Sequence, residues 1–247
     1  MSRVAVVTGG ASGIGLGVAR QLVADGHRIA VLDRNGAAAE AAAAELGAQA
    51  ANTLAVEVDV AARACVDAAY QEIRAELGPI EIVVASAGIE AFTPLLDITP
   101  EAWDRIIAVN LTGTFTCVQL AVPDMIAAGW GRIVTISSSS AQSGAPRMAH
   151  YAASKGGVIS LTRSLAVELA RQGVTANTIS PSLVDTPMAR QAEADGDFPG
   201  VDVVAPMVPV GRAGTPADMA AACSYLCSEG AGYITGQVIG VNGGMYI

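Results

Sequence analysis

The stretch Arg3-Val4-Ala5-Val6-Val7-Thr8-Gly9-Gly10-Ala11-Ser12-Gly13-Ile14-Gly15 decides the fold class of this 247-residue chain. Its first half is a β-branched run, as expected for a strand that is buried on both faces of a parallel sheet. Glycines follow, and the next segment has the apolar periodicity of a helix. Glycines let the backbone approach a ligand closely, and a helix N-terminus favours a pyrophosphate. A strand, a glycine-rich turn and a helix in this order predict a dinucleotide-binding unit.

The same alternation continues along the chain. Further strands are predicted at residues 28–33, 54–58, 80–85, 132–137, 174–179 and 236–241. Helices are predicted at residues 37–46, 61–77, 100–128 and 150–171, and a last helix is predicted to begin at Thr215-Pro216. Strands and helices joined by short turns indicate an α/β fold with a doubly wound, Rossmann-like parallel sheet of about seven strands and helices on both faces.

No composition shift or linker divides residues 1–247, so one domain is expected. Residues 1–90 are interpreted as mainly the dinucleotide-binding half and residues 91–247 as the catalytic half. Residues 180–214 contain five prolines and are predicted to be irregular. A connection of that length in a compact domain is often a lid, so the substrate loop is placed at about residues 182–214.

Composition excludes several function classes. A net charge of −9 argues against a nucleic-acid or anionic membrane surface. Four scattered cysteines and two histidines offer no zinc spacing, and buried thiols in a reducing cytoplasm are expected. The first residues are predicted to enter a strand directly, without the basic and apolar regions that are typical of a signal peptide. The charge-free run between Arg105 and Asp124 contains enough polar residues to favour a buried helix over a membrane span.

Polar or small residues follow the predicted strands. Asp33 ends the second strand, where a carboxylate would accept the ribose hydroxyls of an adenosine, although a loop or capping aspartate is the plain alternative. Asp59, Ser86-Ala87-Gly88, Ser138 and Pro181 follow later strands. Ligands of open α/β sheets lie beyond the carboxyl ends of the strands, so these positions predict one site for a dinucleotide with a hydroxyl and a phenol near its reactive end.

Tyr151 and Lys155 are four residues apart, so on a helix their side chains share one face. A phenol titrates near ~10, and a nearby ammonium lowers its pKa. Such a pair is usually a surface pair without chemistry. Here, however, Lys155 is the only lysine among the 14 basic residues. The pair therefore predicts acid/base catalysis.

Taken together, these motifs make the chain resemble single-domain members of the short-chain dehydrogenase/reductase family over essentially its whole length, including members similar to 3-oxoacyl-carrier-protein reductases. The motifs are Thr8-Gly9-x-x-x-Gly13-x-Gly15, Asp59, Asn110, Ser138, Tyr151-x-x-x-Lys155, Gly236 and Asn242-Gly243-Gly244.

The resemblance implies hydride transfer between a carbinol carbon and a nicotinamide. It implies that Tyr151 exchanges the proton with the substrate oxygen, that Ser138 donates a hydrogen bond to that oxygen, and that Lys155 lowers the pKa of Tyr151 and holds the nicotinamide ribose. Asn110 would hold a water that links Lys155 to solvent. Ser138, Gln142 and Tyr151 would contact the substrate.

The resemblance also implies the cofactor-binding residues, and Asp33 and Ser12 favour NAD over NADP. Arg34 is an objection, since it could pair with the extra phosphate of NADP. The sequence departs from the common pattern at Ser86, where an asparagine is usual, and at Ser182, where a glycine is usual. The expected cofactor-binding residues are Gly9, Ser12, Gly13, Ile14, Gly15, Asp33, Asp59, Val60, Ala87, Gly88, Tyr151, Lys155, Pro181, Val184 and Thr186.

The substrate is expected to be a secondary alcohol or a 3-hydroxyacyl group, free or as a coenzyme A ester. The alternative is an NADPH-dependent 3-oxoacyl-carrier-protein reductase. Gly129 and Gln172 stand where such enzymes present basic residues, and the net charge of −9 makes docking of an acidic carrier unfavourable. A non-catalytic cofactor-binding scaffold is a more remote alternative. The resemblance also implies a homotetramer.

Overall fold

The structure is a computed structural model that describes residues 2–47 and 53–247. The described residues form one sheet of seven parallel strands in the order β3-β2-β1-β4-β5-β6-β7. The strands are β1 (Val4–Thr8), β2 (Arg28–Asp33), β3 (Thr53–Glu57), β4 (Ile80–Ala85), β5 (Gly131–Ile136), β6 (Val174–Pro181) and β7 (Val238–Val241). The predicted fold class is therefore confirmed, and the predicted strand ends differ from these by at most two residues.

Helices cover both faces of the sheet, which explains why β1, β4, β5 and β6 are buried along their whole lengths. One apolar core contains residues of α3, α5 and α7, and the other contains residues of α1, α2 and α10. The helices are α1 (Gly13–Ala24), α2 (Gly36–Gly47), α3 (Arg63–Glu76), α4 (Pro100–Ile107), α5 (Thr114–Ala128), α6 (Ser140–Ser143), α7 (Ala149–Leu169), α8 (Pro187–Ala194), α9 (Val201–Val204) and α10 (Pro216–Cys227).

The strand order reverses between β1 and β4, and the register there brings the strand ends to one edge. Thr8, the last residue of β1, pairs with Leu32 of β2 and with Ala85 of β4. The segments that follow these three strands therefore meet at the switch point, where an open α/β sheet forms its crevice.

The single helix predicted at residues 100–128 is interrupted. The backbone of Ala108–Gly113, between α4 and α5, has π-helical hydrogen bonding. By length and composition alone the stretch Pro100–Ala128 could cross a membrane, but half of its most apolar part is buried. Residues of α5 belong to the core on one side of the sheet, as the sequence prediction of a buried helix requires.

The prediction that residues 180–214 are irregular is wrong for much of that segment. It contains α8, α9 and a 3₁₀ turn at Ala205–Met207. Thr186 caps α8 by accepting a hydrogen bond from the Ala189 N–H at 3.2 Å, and Pro187 occupies the first helical turn. Arg190 then forms ion pairs with Asp185, at 2.8 Å, and with Asp202, at 2.9 Å. These contacts give a proline-rich segment a defined helical structure.

Candidate active site

A cleft of about 330 Å³ lies at the carboxyl edge of the sheet. It extends from the turn after β1 to the start of α7 and to the beginning of α8. All fifteen residues predicted to bind cofactor line it, and so does Ser138. The two halves of the chain meet along the cleft: Gly13 lies against Thr186, and Gly88 lies against Lys155 Nζ.

The glycine turn is held against the end of β4. Gly9 has a φ of +63°, and a Cβ at this position would lie 2.9 Å from the Cα of Ala87. Thr8 Oγ1 accepts hydrogen bonds from the backbone N–H groups of Ser86, at 3.1 Å, and of Ala87, at 3.0 Å. Only a glycine permits this approach, and the threonine hydroxyl accepts from two loop N–H groups, of which that of Ser86 also donates to the Val84 carbonyl.

The Asp33 carboxylate is fixed by backbone donors on both of its oxygens. Oδ2 accepts from the Ala11 N–H at 3.3 Å, and Oδ1 accepts from the Asn35 N–H at 3.1 Å. These bonds tie the carboxylate to the glycine turn and leave lone pairs on both oxygens for further donors. The neighbouring Arg34 is exposed and also lines the cleft.

The cleft residues fit a nicotinamide dinucleotide. Among the described residues, Ser12, the N-cap residue of α1, makes no side-chain hydrogen bond to the first turn of the helix, and that turn contains no acidic residue. The N–H groups of that turn therefore remain free for an anion such as a pyrophosphate. Asp33 supplies acceptors for ribose hydroxyls at the same end of the cleft.

The side chain of Lys155 is buried at the other end of the cleft. Its Nζ donates a hydrogen bond to the Ile136 carbonyl at 2.8 Å and lies 5.8 Å from the centre of the Tyr151 ring. A Cβ on Gly88 would lie only 3.3 Å from this Nζ, so Gly88 leaves the space that the ammonium uses. Ser137 Oγ donates to the Lys155 carbonyl at 2.9 Å and ties α7 to the end of β5.

Burial controls the protonation of both groups. It lowers the pKa of Lys155 to about 8, and the negative charge of Glu90 opposes this shift. Burial raises the pKa of the Tyr151 phenol, Glu90 adds to that rise, and a hydrogen bond with Ser138 opposes it. The lowering of the Tyr151 pKa by Lys155 that the sequence predicts is not seen in this structure, in which burial is the largest influence on the phenol and raises its pKa.

Ser138 is oriented by its neighbour Ser140. Ser138 Oγ accepts hydrogen bonds from the Ser140 N–H at 3.2 Å and from Ser140 Oγ at 2.9 Å. With both acceptor positions used, the hydroxyl hydrogen of Ser138 is left to donate into the cleft beside Tyr151. This is the polarity that stabilises a developing negative charge on a substrate oxygen.

Asn110 lies in the π-helical segment and is fully buried. Its Oδ1 accepts from the Ile89 N–H at 2.9 Å, and its Nδ2 donates to the Ile89 carbonyl and to Ser154 Oγ, each at 3.0 Å. The side chain therefore joins the loop after β4 to α7 and does not line the cleft. The water-holding role that was expected for Asn110 stays a prediction.

Gln142 is the one other expected site residue that is not among those lining the cleft. It is exposed on α6, and its Oε1 accepts a hydrogen bond from Ser180 Oγ at 2.7 Å. Its expected contact with substrate also stays a prediction.

Two charged residues of the cleft were missed by the sequence analysis. Arg105 lies 3.7 Å from the Asp59 carboxylate at the dinucleotide end, and Glu90 lies near Tyr151 and Lys155. Arg105 gives no signal in the sequence, because it sits in an ordinary amphipathic helix. Glu90 gives a weak one, since it follows Gly88 at a strand end.

The similarity of this chain to known proteins identifies its family. A family model described as enoyl-(acyl carrier protein) reductase matches residues 9–246. A 3-oxoacyl-[acyl-carrier-protein] reductase of Mycobacterium tuberculosis is 39% identical over 245 residues, which are 99% of this chain and 93% of that protein. The chain belongs to the short-chain dehydrogenase/reductase family.

Other members of the short-chain dehydrogenase/reductase family differ in their named substrates. A D-threitol dehydrogenase of Mycolicibacterium smegmatis is also 39% identical, over 99% of this chain and 93% of that protein. The crystal structure of a 3-ketoacyl-(acyl-carrier-protein) reductase from Brucella melitensis, complexed with NADH, has a TM-score of 0.91 at 33% identity and covers 99% of this chain and 98% of that one. As a short-chain dehydrogenase/reductase, the protein is an oxidoreductase that acts on CH–OH or keto groups.

The burial of Lys155 predicts a cost in stability. Because the folded chain lowers the pKa of this side chain from 10.5 to about 8, the protonated lysine opposes folding at neutral pH. We expect Lys155→Met to raise the free energy of unfolding at pH 7 by about 1–3 kcal/mol. The loss of the hydrogen bond from Lys155 to the Ile136 carbonyl reduces this gain. The gain should shrink as the pH rises from about 8 to 10.5, where the wild-type lysine becomes neutral in the folded chain.

Thermal unfolding of the cofactor-free protein across this pH range measures the effect. Arg163→Met removes an exposed positive charge from the same helix and is the matched control. A Lys155→Met protein that is less stable than wild type at pH 7, with the same pH dependence as wild type, contradicts the prediction.

Proposed function

We propose that the protein is an NAD-dependent oxidoreductase that interconverts a secondary alcohol, or a 3-hydroxyacyl group free or as its coenzyme A ester, with the corresponding ketone. The observation that carries this proposal is that one cleft is lined both by the Asp33 carboxylate, which would bind a ribose, and by Ser138, Tyr151 and Lys155. A bound nicotinamide supplies or accepts the hydride.

Tyr151 transfers the proton to and from the substrate oxygen. In the oxidation direction its phenolate removes the proton from the substrate hydroxyl, and in the reduction direction its phenol returns that proton to the oxygen. Because burial raises the pKa of this phenol, the protonated form dominates at neutral pH. In oxidation, therefore, the phenolate has to form with help from its neighbours.

Lys155 and Ser138 are the neighbours that stabilise charge. With its pKa lowered to about 8, Lys155 is still mostly protonated at neutral pH, and its ammonium favours the phenolate. Ser138 Oγ would donate its hydrogen to the substrate oxygen and stabilise alkoxide character in the transition state. Lys155 also has donors left for a ribose hydroxyl after its bond to the Ile136 carbonyl.

The Asp33 carboxylate supports NAD rather than NADP. A phosphate on the adenosine ribose would meet this carboxylate, which its two backbone donors hold in place. Coulomb repulsion between two anions at such a distance disfavours binding. Arg34 lines the same region and acts in the opposite sense. The relative from Brucella melitensis was crystallised with NADH, which agrees with this choice.

An NADPH-dependent 3-oxoacyl-carrier-protein reductase is the second candidate, because several relatives are named 3-oxoacyl-[acyl-carrier-protein] reductase. Against it stand the net charge of −9 and the residues at two positions near the expected docking surface. Gly129 ends α5 in a left-handed conformation, and Gln172 lies in the 3₁₀ turn after α7. Arg171, the neighbour of Gln172, is exposed and offers one positive charge to an acidic carrier.

We also propose that the protein is a cytoplasmic homotetramer. Phe115 on α5 and Val167 on α7 are exposed apolar residues on the two long helices, and Met245 and Ile247 are exposed after β7. Contact between copies through these helices and the last strand would cover them. All four cysteines are free thiols, consistent with a reducing compartment.

Sedimentation of the purified protein as a monomer would rule out the tetramer.

Replacing the catalytic phenol tests the proposed chemistry. We expect Tyr151→Phe to lower turnover of butan-2-ol with NAD⁺ by roughly 10²–10⁴-fold, because the proton acceptor is lost. NADH binding, followed by fluorescence, should change little. Tyr225→Phe alters an exposed tyrosine on α10 and should match wild type. A Tyr151→Phe enzyme that keeps more than about a tenth of the wild-type rate contradicts the assignment.

A charge change at Asp33 tests the cofactor preference. We expect Asp33→Asn to raise the ratio of kcat/KM for NADP⁺ to that for NAD⁺ by about ten-fold or more, since the repulsion of the added phosphate disappears. Arg34→Ala should lower the same ratio. A wild-type enzyme that already prefers NADP⁺, with a ratio that Asp33→Asn leaves unchanged, would show that Asp33 does not select the cofactor.

A further inference from the structure

Glu90 is an acidic side chain inside the catalytic end of the cleft. It lines the cleft together with Ser138, Tyr151 and Lys155, and it is half-buried. Gly88, two residues earlier, lies against the ammonium of Lys155, since a Cβ there would be 3.3 Å from Nζ, so Glu90 follows directly on the reacting centre. Its negative charge opposes the fall in the pKa of Lys155 and adds to the rise in the pKa of Tyr151. The mechanism described above assigns no step to this residue.

The backbone on both sides of Glu90 is fixed. On one side, the N–H and the carbonyl of Ile89 are both bonded to the Asn110 side chain, at 2.9 and 3.0 Å. On the other side, Arg147 donates to the Phe92 carbonyl at 2.9 Å, and the Arg147 carbonyl accepts from the Thr93 N–H at 2.6 Å. Glu90 is therefore carried on a short loop that is tied at both ends and presents its side chain at a defined place.

Arg147 does not neutralise Glu90. Its guanidinium donates to Asp197 Oδ1 at 2.7 Å, and its backbone has a φ of +63°, the only positive φ among the described residues other than glycine. An arginine held in this strained conformation indicates that the loop junction is over-determined by its surroundings.

Glu90 itself has no partner for its carboxylate. Among the described residues it makes no hydrogen bond, and only burial and the charges of Lys155 and Asp197 act on it. A half-buried carboxylate that no protein group uses as an acceptor keeps its oxygens available to a ligand with a donor group in the cleft. Because Glu90 lines the cleft two residues after Gly88, which lies against Lys155 Nζ, such a donor would belong to the part of the substrate near the reacting carbinol.

We propose that Glu90 determines substrate specificity by accepting a hydrogen bond from a second hydroxyl adjacent to the reacting carbinol and by repelling substrates with a carboxylate at that position. A hydroxyl fits better than an ammonium, because Lys155 already places one positive charge beside Glu90. This inference rests on the proposed function, and it narrows the substrate class to neutral, hydroxylated secondary alcohols.

The test uses ratios of kcat/KM within each enzyme for two matched substrate pairs. The first pair is butane-2,3-diol and butan-2-ol, and the second is 3-hydroxybutyrate and its methyl ester. In the wild-type enzyme we expect a preference of about ten-fold or more for the diol and for the ester. Glu90→Leu should remove the diol preference, and Glu90→Gln should keep part of it, because the amide oxygen still accepts.

The second substrate pair distinguishes the effect of the Glu90 charge from the effect of the hydrogen bond that Glu90 accepts. Both Glu90→Gln and Glu90→Leu should raise the ratio of 3-hydroxybutyrate to its ester by about ten-fold, since both remove the repelling charge. Glu72→Gln is the matched control: it removes one negative charge from an exposed position on α3 and should leave both ratios at the wild-type values. Thermal unfolding of each variant confirms that it is folded.

Two outcomes overturn the proposal. If the Glu90 variants lose activity on all four substrates in equal proportion, Glu90 acts through Tyr151 and Lys155 and not on the substrate. If the variants keep both wild-type ratios, Glu90 does not contact this part of the substrate. In either case the proposed function stands, because the wild-type enzyme turns over secondary alcohols. Only a wild-type enzyme that oxidises none of the four substrates would reject both proposals together.

Discussion

The buried ammonium of Lys155 is the constraint on which the rest of the site depends. A charge in the interior has to be hydrogen-bonded and given space. The Ile136 carbonyl at the end of β5 supplies the bond, at 2.8 Å, and Gly88 after β4 supplies the space. Because Lys155 lies on α7, these two requirements fix the helix against the ends of two strands, and Tyr151 is fixed with it, one turn earlier.

The parallel register of the sheet makes this arrangement possible. β1, β2 and β4 end in line, so the glycine turn, Asp33 and the loop that begins at Ser86 share one edge. Thr8 then ties that loop to β1 through two N–H groups, and Asn110 ties its continuation to α7 through Ser154. The interrupted helix at Asn110 agrees with this role, since π-helical turns occur frequently at functional sites.

Much of the fold and the cleft could be predicted from the sequence because their signals are local. β-branched runs fix the strands, and the glycine turn and the polar residues at strand ends fix the edge at which ligands bind. The helix α8 was missed although Thr186-Pro187 repeats the cap and proline that correctly predicted α10 at Thr215-Pro216, because five prolines in residues 180–214 outweighed one start signal.

The π-helical turn at Asn110 and the position of Glu90 depend on contacts between distant segments, which no local pattern reveals. The same holds for the protonation of Tyr151: spacing predicts that Lys155 is near, but only the structure shows that desolvation of the phenol raises its pKa.

The most direct test of the account follows the hydride itself. Butan-2-ol that carries deuterium on the carbinol carbon would be oxidised with NAD⁺, and the reduced cofactor would be analysed by mass spectrometry. The account predicts reduced nicotinamide that carries the deuterium, formed by the wild-type enzyme at a rate slowed by a primary isotope effect. Reduced cofactor without deuterium, or ketone formed without reduced cofactor, would contradict direct transfer between the carbinol carbon and the nicotinamide.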